Sequence, residues 1–390
     1  MMNPIYLDYA ATTPVDPRVA AKMSAALTLE GNFANPASKS HRYGWEAAEA
    51  VDIGRSQVAA LCGADSREIV FTSGATESDN LAIIGVAEAL AKSSPRRHII
   101  TSMLEHKAIL DPCHYLESKG YKVTYLQPGS DGIITKEMLA DAFDEDTLLV
   151  SLMHANNEIG VIQDIGELAK VAHEAGALFH SDCAQSAGKV KIDVTTMPVD
   201  YLSFSAHKVY GPKGIGAFYV RQGVPLPEPV IRGGGHERGM RSGTLATHQI
   251  VGMGEAYALA VKEFKRDTSR LQAMRDKLAA ALLALPGTKV NGSMSARLPN
   301  NLNVTFSGVN GETFLLALRG LAVSTGSACT SASLNPSYVL KALGLSDSDA
   351  HSSIRISFGR FTTDEEIEAA SKIFTEVYAE QKKLGSGWSA

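Results

Sequence analysis

Short apolar runs alternate with amphipathic stretches through the middle of the chain. The runs lie at residues 69–73, 98–102, 123–126, 148–154, 177–182, 201–205 and 216–220, and residues 165–175 form an amphipathic stretch between two of them. Such alternation predicts a mostly parallel seven-stranded sheet covered by helices, which is an α/β fold. A short Gly/Pro turn, GPKGIG, leads into the last run, so we expect that strand to be antiparallel to its neighbour.

The pattern changes beyond the predicted sheet. Residues 255–285 are rich in Ala, Leu and Lys and predict one or two long helices that lead into a second domain. In that domain, residues 301–306 and 353–358 are strand candidates. A closing helix is expected to begin near Thr363, which has the spacing of a capping box with Glu366. Its apolar face would hold Ile367, Ala370, Ile373, Phe374 and Val377.

Composition narrows the class of protein. The chain has 390 residues, 45% of them hydrophobic and 20% charged, with a formal net charge of −5, which indicates a globular protein of about two domains. No basic cluster suggests direct nucleic-acid or membrane binding. The N-terminus does not resemble a signal peptide, and no apolar run reaches membrane length. The four cysteines include no CxxC pair, so we expect a reducing, cytoplasmic location.

The first candidate site follows the first strand, in the segment FTSGATESDN at residues 71–80. A helix is expected to start near Thr76, just after Gly74. Free backbone N–H groups and the helix dipole at such a start favour binding of a phosphate, to which the Thr76 hydroxyl would add. The alternative is an ordinary N-terminal cap without a ligand.

The second candidate is Asp182, at the end of an apolar strand. Ligands of an open parallel sheet lie beyond the carboxyl ends of its strands, and a buried carboxylate needs a partner. A pyridinium nitrogen suits that role, because an acidic partner keeps a pyridine cofactor electron-withdrawing. Asp182 could instead cap the following helix. A metal site with His180 is disfavoured, since no third ligand is evident.

The third candidate is Lys208, which follows the strand at 201–205 and lies beside His207. Desolvation and a neighbouring cation both lower the pKa of a lysine and favour Schiff-base chemistry. Ser205 and His207 suit phosphate binding. A surface lysine at a strand end is the alternative. The order of the three candidates, a phosphate-binding helix start, a strand-end Asp and a strand-end Lys, is that of a fold-type-I pyridoxal-phosphate enzyme.

A family resemblance covers nearly the whole chain, from Tyr6 to about Phe361. It is carried by the segments YLDYAATTP, TSGATESDN, EHKA, NNEIG, SDCAQ, SAHKVYGPKG, GGGHERGMRSGT and STGSACTS. In this order they resemble cysteine desulfurases of the NifS/IscS class, members of the class-V aminotransferase family. The resemblance implies a homodimer that binds pyridoxal 5′-phosphate. It also implies a large cofactor domain at residues 15–260 and a smaller α+β domain made of residues 1–14 and 261–390.

The resemblance assigns roles to individual residues. Lys208 matches the Schiff-base lysine, and His106 the catalytic histidine that stacks on the cofactor ring. Asp182 matches the partner of the pyridinium nitrogen, while Gln185 and Asn157 match groups near the phenolic oxygen. The residues that match the phosphate-binding group are Ala75, Thr76, Ser205 and His207. Thr244 matches a residue that reaches the cofactor phosphate of the other subunit.

The substrate side is implied in the same way. Arg355 matches the arginine that binds the carboxylate of L-cysteine, a bidentate task that suits a guanidinium group, and Asn157 is implied as a second substrate-binding residue. Cys329 matches the nucleophile that takes up sulfur as a persulfide. Its neighbours are small and polar, so its loop is expected to be mobile, whereas a structural cysteine has apolar neighbours. Cys183 adjoins Asp182, but strand alternation should turn it away from the cofactor.

Some alternatives stay open at this point. An aminotransferase is disfavoured by the Cys329 loop, but a selenocysteine lyase or a catalytically idle subunit of an assembly platform is not excluded. The sulfur acceptor would be an iron–sulfur scaffold protein or another sulfur carrier, for RNA thiolation or DNA phosphorothioation. Family members devoted to iron–sulfur assembly usually carry a longer C-terminal tail than the one after residue 382, so the identity of that acceptor stays open.

Overall fold

The computed structural model describes residues 3–326 and 335–386. In chain order, its strands are β1 (Ile5–Tyr6), β2 (Ile69–Thr72), β3 (His98–Ser102), β4 (Lys122–Leu126), β5 (Thr147–Ser151), β6 (Leu178–Asp182), β7 (Tyr201–Ser205), β8 (Gly216–Val220), β9 (Thr288–Val290), β10 (Asn301–Phe306), β11 (Leu321–Ala322) and β12 (Ser353–Ser357).

The α-helices surround these strands. They are α1 (Pro17–Ala25), α2 (Arg42–Cys62), α3 (Ala75–Asn80), α4 (Val86–Leu90), α5 (Lys107–Glu117), α6 (Lys136–Ala140), α7 (Ile165–Glu174), α8 (Thr247–Leu283), α9 (Gly311–Ala317), α10 (Tyr338–Ala342), α11 (Asp347–His351) and α12 (Asp364–Ser386). A π-helical segment, Leu81–Gly85, joins α3 to α4.

A seven-stranded sheet forms the centre of the fold, in the order β2-β8-β7-β6-β5-β3-β4. Its strands run parallel except β8, which is antiparallel to both β2 and β7. This confirms the predicted α/β class, all seven strand positions and the antiparallel last strand. The predicted run at 148–154 is longer than β5, but the chain stays extended, because the N–H groups of Leu152 and His154 donate to carbonyls of β6.

Two large buried clusters include opposite ends of the long helix α8. One packs the central sheet against α2, α7 and the first part of α8. The other joins Leu7 to the last part of α8, to β10 and β12, and to α12. The helix α8 is therefore shared by both clusters, which fits the proposed division into a large and a small domain.

The sequence prediction placed the start of α8 eight residues too late, because helix-disfavouring Gly252 and Gly254 lie in its first turns. Tertiary packing explains these glycines. A Cβ atom added to Gly254 would lie 2.6 Å from the Cα of Gly54 on α2, so the bare backbones allow the two helices to approach closely.

The second half of the chain forms smaller sheets. The predicted strands β10 and β12 pair antiparallel, and β9, which the sequence pattern did not indicate, adds a third strand. The N-terminal β1 pairs with β11. The predicted capping box at the start of α12 is confirmed, since Thr363 N–H donates to Glu366 at 2.8 Å and Glu366 N–H donates back to the Thr363 hydroxyl at 3.2 Å.

Candidate active site

One cavity of about 440 Å³ lies beyond the carboxyl ends of β2, β6 and β7. Its position follows from the sheet, because three strands that run in the same direction end at one edge there. Every predicted site residue except Thr244 and Cys329 lines this cavity, namely Ala75, Thr76, His106, Asn157, Asp182, Gln185, Ser205, His207, Lys208 and Arg355. Residues from distant parts of the sequence are thus brought to one place.

Asp182 is the last residue of β6 and is almost fully buried. One of its carboxyl oxygens accepts the Ala184 N–H at 2.8 Å, but the helix-capping alternative is wrong, because β6 is followed by turns at residues 184–189 and not by a helix. Burial raises the pKa of Asp182, and the Ala184 N–H, His106 and Lys208 oppose that rise. A cation placed against Asp182 in the cavity would therefore add to the stabilisation that His106 and Lys208 give its anionic form.

Lys208 lies in a short turn of 3₁₀ helix, Ala206–Lys208, directly after β7. Its Nζ donates to the carbonyl oxygens of Ala10 at 2.5 Å and Ala11 at 2.7 Å. The Gln185 side chain also donates to the Ala10 carbonyl, at 2.9 Å. The N-terminal segment therefore forms one wall of the cavity and holds the lysine amine in place.

His106 caps the N-terminus of α5. Its Nδ1 accepts the Ala108 N–H at 3.1 Å, so the neutral ring carries its proton on Nε2. Burial lowers the pKa of His106, with Asp182 acting in the opposite direction. A neutral imidazole therefore lines the cavity, and its Nε2 is the ring nitrogen that can exchange a proton with a ligand.

The helix start after β2 has the features of an anion site. The first N–H groups of α3, at Ala75 and Thr76, have no intrahelical acceptor, and Ser205 and His207 line the same cavity. Burial, with help from Lys208 and Lys213, lowers the pKa of His207 to about 4. His207 is thus neutral at physiological pH and contributes hydrogen bonds rather than charge.

Arg355, on β12, reaches the cavity from the small three-stranded sheet. Its guanidinium group donates to the Asn157 carbonyl at 3.1 Å and to the Asp8 carboxylate at 2.8 Å, while its buried Nε has no hydrogen-bond partner among the described residues. The Asn157 side-chain oxygen is likewise buried and unpartnered in the described part of the chain. Each of these two groups could therefore form a hydrogen bond with a ligand in the cavity.

Two predicted residues are not part of this arrangement. Thr244 lines a separate surface depression with Leu27, Phe33 and Asn35. Cys329 lies outside the described residues. The other cysteines, Cys62, Cys113 and Cys183, are fully buried. As expected, Cys183 belongs to the apolar core and not to the cavity wall.

Sequence reasoning missed several contributors to the site. Ala10 and Ala11 contact Lys208 through main-chain carbonyl groups, so their side chains give no indication of this role in the sequence. The sequence does not distinguish Asp8 and Asp79 from acidic residues on the surface. Only the tertiary structure shows that Asp8 contacts Arg355 and that Asp79 lines the cavity. Glu77 lies in the segment at residues 71–80, but its ion pair with Arg241 at 2.9 Å joins residues distant in sequence.

Comparisons with known proteins agree on one family. The family model for aminotransferase class-V matches residues 5–370. The chain is 58% identical to a cysteine desulfurase IscS of Pseudomonas aeruginosa (strain LESB58), over all of this chain and 96% of that protein. A solved NifS-like protein has a TM-score of 0.89 at 38% identity, covering 96% of this chain and 99% of its own.

A second solved structure is that of DndA from Streptomyces lividans, with a TM-score of 0.77, 39% identity, and coverage of 91% of this chain and 99% of its own. Within the part of the chain that the structure describes, no helix combines the length and the apolar character needed to span a membrane.

Proposed function

Because the chain belongs to the class-V aminotransferases, and among them to the cysteine desulfurases of the NifS/IscS class, we propose that it moves the sulfur of L-cysteine onto Cys329 and then to an acceptor protein. L-Alanine is the second product. The single observation that supports this best is the convergence of the predicted cofactor and substrate residues on one cavity. The acceptor is an iron–sulfur scaffold protein or another sulfur carrier.

The cavity residues fit pyridoxal 5′-phosphate, the cofactor of this family. Asp182 offers an incompletely neutralised carboxylate, the start of α3 offers free amides for a phosphate, and the buried Asn157 oxygen lacks a partner in the described part of the chain. Ala75, Thr76, Ser205 and His207 would hold the phosphate, and Asp182, Gln185 and His106 the ring. When bound, the cofactor supplies an aldehyde that condenses with amines and a ring that withdraws electrons.

Lys208 performs the first proton transfer in this mechanism. Its Nζ would hold the cofactor aldehyde, and the Ala10 and Ala11 carbonyls already orient the amine. With substrate bound, Nζ would accept the substrate α-proton. Asp182 would keep the ring nitrogen of a bound cofactor protonated, since an anion beside that nitrogen stabilises its charge.

Arg355 holds the substrate carboxylate. Asp8 and the Asn157 carbonyl fix the plane of its guanidinium group, so little side-chain entropy is lost on binding. Arg355 and Lys208 line the same cavity, so a substrate held by its carboxylate at Arg355 would share that cavity with the Lys208 amine. His106 exchanges a proton with the substrate thiol through Nε2, because its Nδ1 is occupied by Ala108.

Cys329 supplies the nucleophile. Burial raises the pKa of Cys62 and of Cys113 to about 12, and raises that of Cys183, so these three remain thiols and are poor nucleophiles. The Cys329 thiolate attacks the substrate sulfur, the carbon–sulfur bond breaks with its electron pair left on the β-carbon, and that carbon takes up a proton. Lys208 would return a proton to the α-carbon, which completes alanine.

The start of the Cys329 segment supports this assignment. The main chain of Ser324 pairs with that of Arg355, whose N–H donates to the Ser324 carbonyl at 2.6 Å. Ser324 comes five positions before Cys329 in the sequence. The described part of the chain that leads to the Cys329 segment is thus paired with the residue that would hold the substrate.

A homodimer completes the proposed enzyme. Thr244 lies outside its own cavity, in a depression bordered by the exposed apolar side chains of Leu27 and Phe33, and Leu29 nearby is 69% exposed. Such a patch is typical of an association surface. We propose that it packs against a second copy, so that Thr244 reaches the phosphate of the partner's cofactor. Sedimentation of Leu29→Asp should then show a larger fraction of monomer than the wild type.

Substitution of the nucleophile tests the proposed function. Cys329→Ser should bind the cofactor with a normal absorbance spectrum and respond to cysteine, because Lys208 and Arg355 are unchanged. Alanine production should fall to background, since a hydroxyl is a far weaker nucleophile toward sulfur than a thiolate. Mass spectrometry of the wild type should find the added sulfur on the Cys329 peptide.

Cys183→Ala is the matched control and should keep the sulfur on Cys329. Sulfur on Cys183, together with an active Cys329→Ser variant, would contradict the mechanism and move the nucleophile to the end of the cofactor strand β6.

A further inference from the structure

A second carboxyl group, which the mechanism above does not use, belongs to the lining of the same cavity as Asp182. Asp79 on α3 borders the cavity, yet both of its carboxyl oxygens are sealed from solvent and neither has a hydrogen-bond partner among the described residues. A ligand in the cavity therefore cannot reach these oxygens directly. An ionised carboxylate without any partner is costly in a protein interior, so the charge state of Asp79 needs an explanation.

The polar groups that face Asp79 come from three neighbouring elements. Strand β6 contributes Asp182 and His180, β7 contributes Ser203, and the turn before α5 contributes Glu105. The His180 Nε2 is 3.7 Å from Asp79 Oδ1, too far for a hydrogen bond. Ser203 comes close enough to lower the pKa of Asp79 but does not complete a hydrogen bond.

None of these described neighbours brings a positive charge. His180 is bonded on both ring nitrogens, to Ser151 and Ser203 at 2.9 Å each, and burial lowers its pKa to about 3, so the ring is neutral. Glu105 is an acid itself, and burial raises its pKa to about 8. Glu77, also on α3, is already paired with Arg241.

Asp79 and Asp182 therefore differ in what stabilises a negative charge. Asp182 accepts the Ala184 N–H and has His106 and Lys208 nearby. Within the described part of the chain, Asp79 accepts no hydrogen bond and no cation stabilises its anionic form, so burial, with a further contribution from Asp182, raises its pKa well above the usual range. When two neighbouring acids share one proton, it resides on the acid whose anion is less stabilised.

We propose that Asp79 and Asp182 form a carboxyl pair in which Asp79 holds the shared proton, leaving Asp182 as the single anion directed at the ring nitrogen of the cofactor. Asp79 is then a positioning residue, because it acts through Asp182 and does not touch the ring. This inference rests on the proposed function, since only a bound pyridine ring makes use of the anion.

The location of the proton is measurable by infrared spectroscopy of the full chain, with and without bound cofactor. The wild type should show the carbonyl-stretch band of a protonated carboxylic acid, and that band should disappear on raising the pH. Asp79→Asn should lack this band, whereas Asp182→Asn, the matched control, should retain it. Glu105→Gln identifies any separate band of Glu105, whose pKa is also raised.

The holoenzyme gives a second readout, the protonation state of the ring nitrogen, from the NMR shift of nitrogen-labelled cofactor. At neutral pH, Asp79→Asn should keep the ring nitrogen protonated and the cofactor dissociation constant within about threefold of wild type, because an amide resembles a neutral carboxylic acid. Asp182→Asn should shift the nitrogen toward its deprotonated form. At alkaline pH, only the wild type gains a second negative charge, so its ring nitrogen should stay protonated to higher pH than that of Asp79→Asn.

The opposite pattern would overturn the inference. An acid band lost in Asp182→Asn but kept in Asp79→Asn would place the proton on Asp182. A ring nitrogen that is deprotonated at neutral pH in Asp79→Asn would mean that Asp79 itself is the counter-ion. Failure of the wild type to bind the cofactor would instead contradict the proposed function, and the band assignment in the cofactor-free protein would be unaffected.

Discussion

The two sides of the cavity are built in different ways. On the cofactor side, Asp182 ends β6 and Lys208 follows β7, and the register of these adjacent strands pairs Asp182 with Ser203. On the substrate side, Arg355 comes from another sheet and is oriented by two hydrogen bonds, to Asp8 and to the Asn157 carbonyl. The cofactor side is thus held by continuous backbone pairing, whereas the substrate side depends on a few contacts between remote segments.

This difference separates two kinds of variant. Changes on the cofactor side should alter the chemical step and the cofactor spectrum, with a smaller effect on cysteine affinity. Changes on the substrate side should raise KM for cysteine and leave the spectrum unchanged. The following predictions run from the largest expected effect to the smallest.

Lys208→Ala should abolish activity, because no other described side chain occupies its place after β7. The cofactor absorbance that responds to cysteine should vanish, and borohydride should no longer fix the cofactor to the protein. Lys213→Ala is the matched control, since Lys213 also lines the cavity and its loss should leave the reducible adduct intact. A reducible adduct in Lys208→Ala through a different lysine would show that the assignment is wrong.

Asp182→Asn should retain the cofactor but slow turnover by roughly 30- to 1000-fold, which corresponds to about 2–4 kcal/mol for the loss of a charge-assisted partner. The amide can still accept the Ala184 N–H, so the local fold should persist. Single-turnover kinetics with cysteine measure the slowed step. Turnover equal to that of the wild type would exclude the role given to Asp182.

Arg355→Lys should raise KM for cysteine by about 10- to 100-fold, because an ammonium group cannot form the paired hydrogen bonds of a guanidinium group. The cofactor spectrum should stay unchanged. Arg360→Lys is a suitable control: Arg360 is also buried but is ion-paired to Asp16 and Asp267 away from the cavity. It should lower the free energy of unfolding without the same rise in KM.

Asp8→Asn should have the smallest effect, a rise in KM of less than about tenfold, since one partly exposed ion pair contributes little and Asn157 still holds the arginine. Steady-state kinetics in parallel with Arg355→Lys provide the measurement. An effect as large as that of Arg355→Lys would mean that Asp8 contacts the substrate or controls the position of the whole β12 strand.

Much of the fold was predictable because its signals are local. The alternation of apolar and polar residues indicated all seven strands of the central sheet, and the spacing of Thr363 and Glu366 indicated the start of α12. Lys208 and Asp182 were identifiable as strand-end residues, since charged side chains directly after buried strands are unusual. The family resemblance then related them to His106, Asn157 and Gln185. The roles given to these residues, and those given to Thr244 and Cys329, stay predictions.

By itself, the sequence determined the periodicity of the strands, the caps of the helices and the chemical type of the residues at the sheet edge, because these depend on neighbours a few positions apart. Only the tertiary structure decided which remote groups meet. Asp8 and Arg355 are separated by 347 positions, and Asp79 becomes an unpaired acid only where α3 packs over β6 and β7. Hydrogen bonding and desolvation act through space, and no local pattern records these partners.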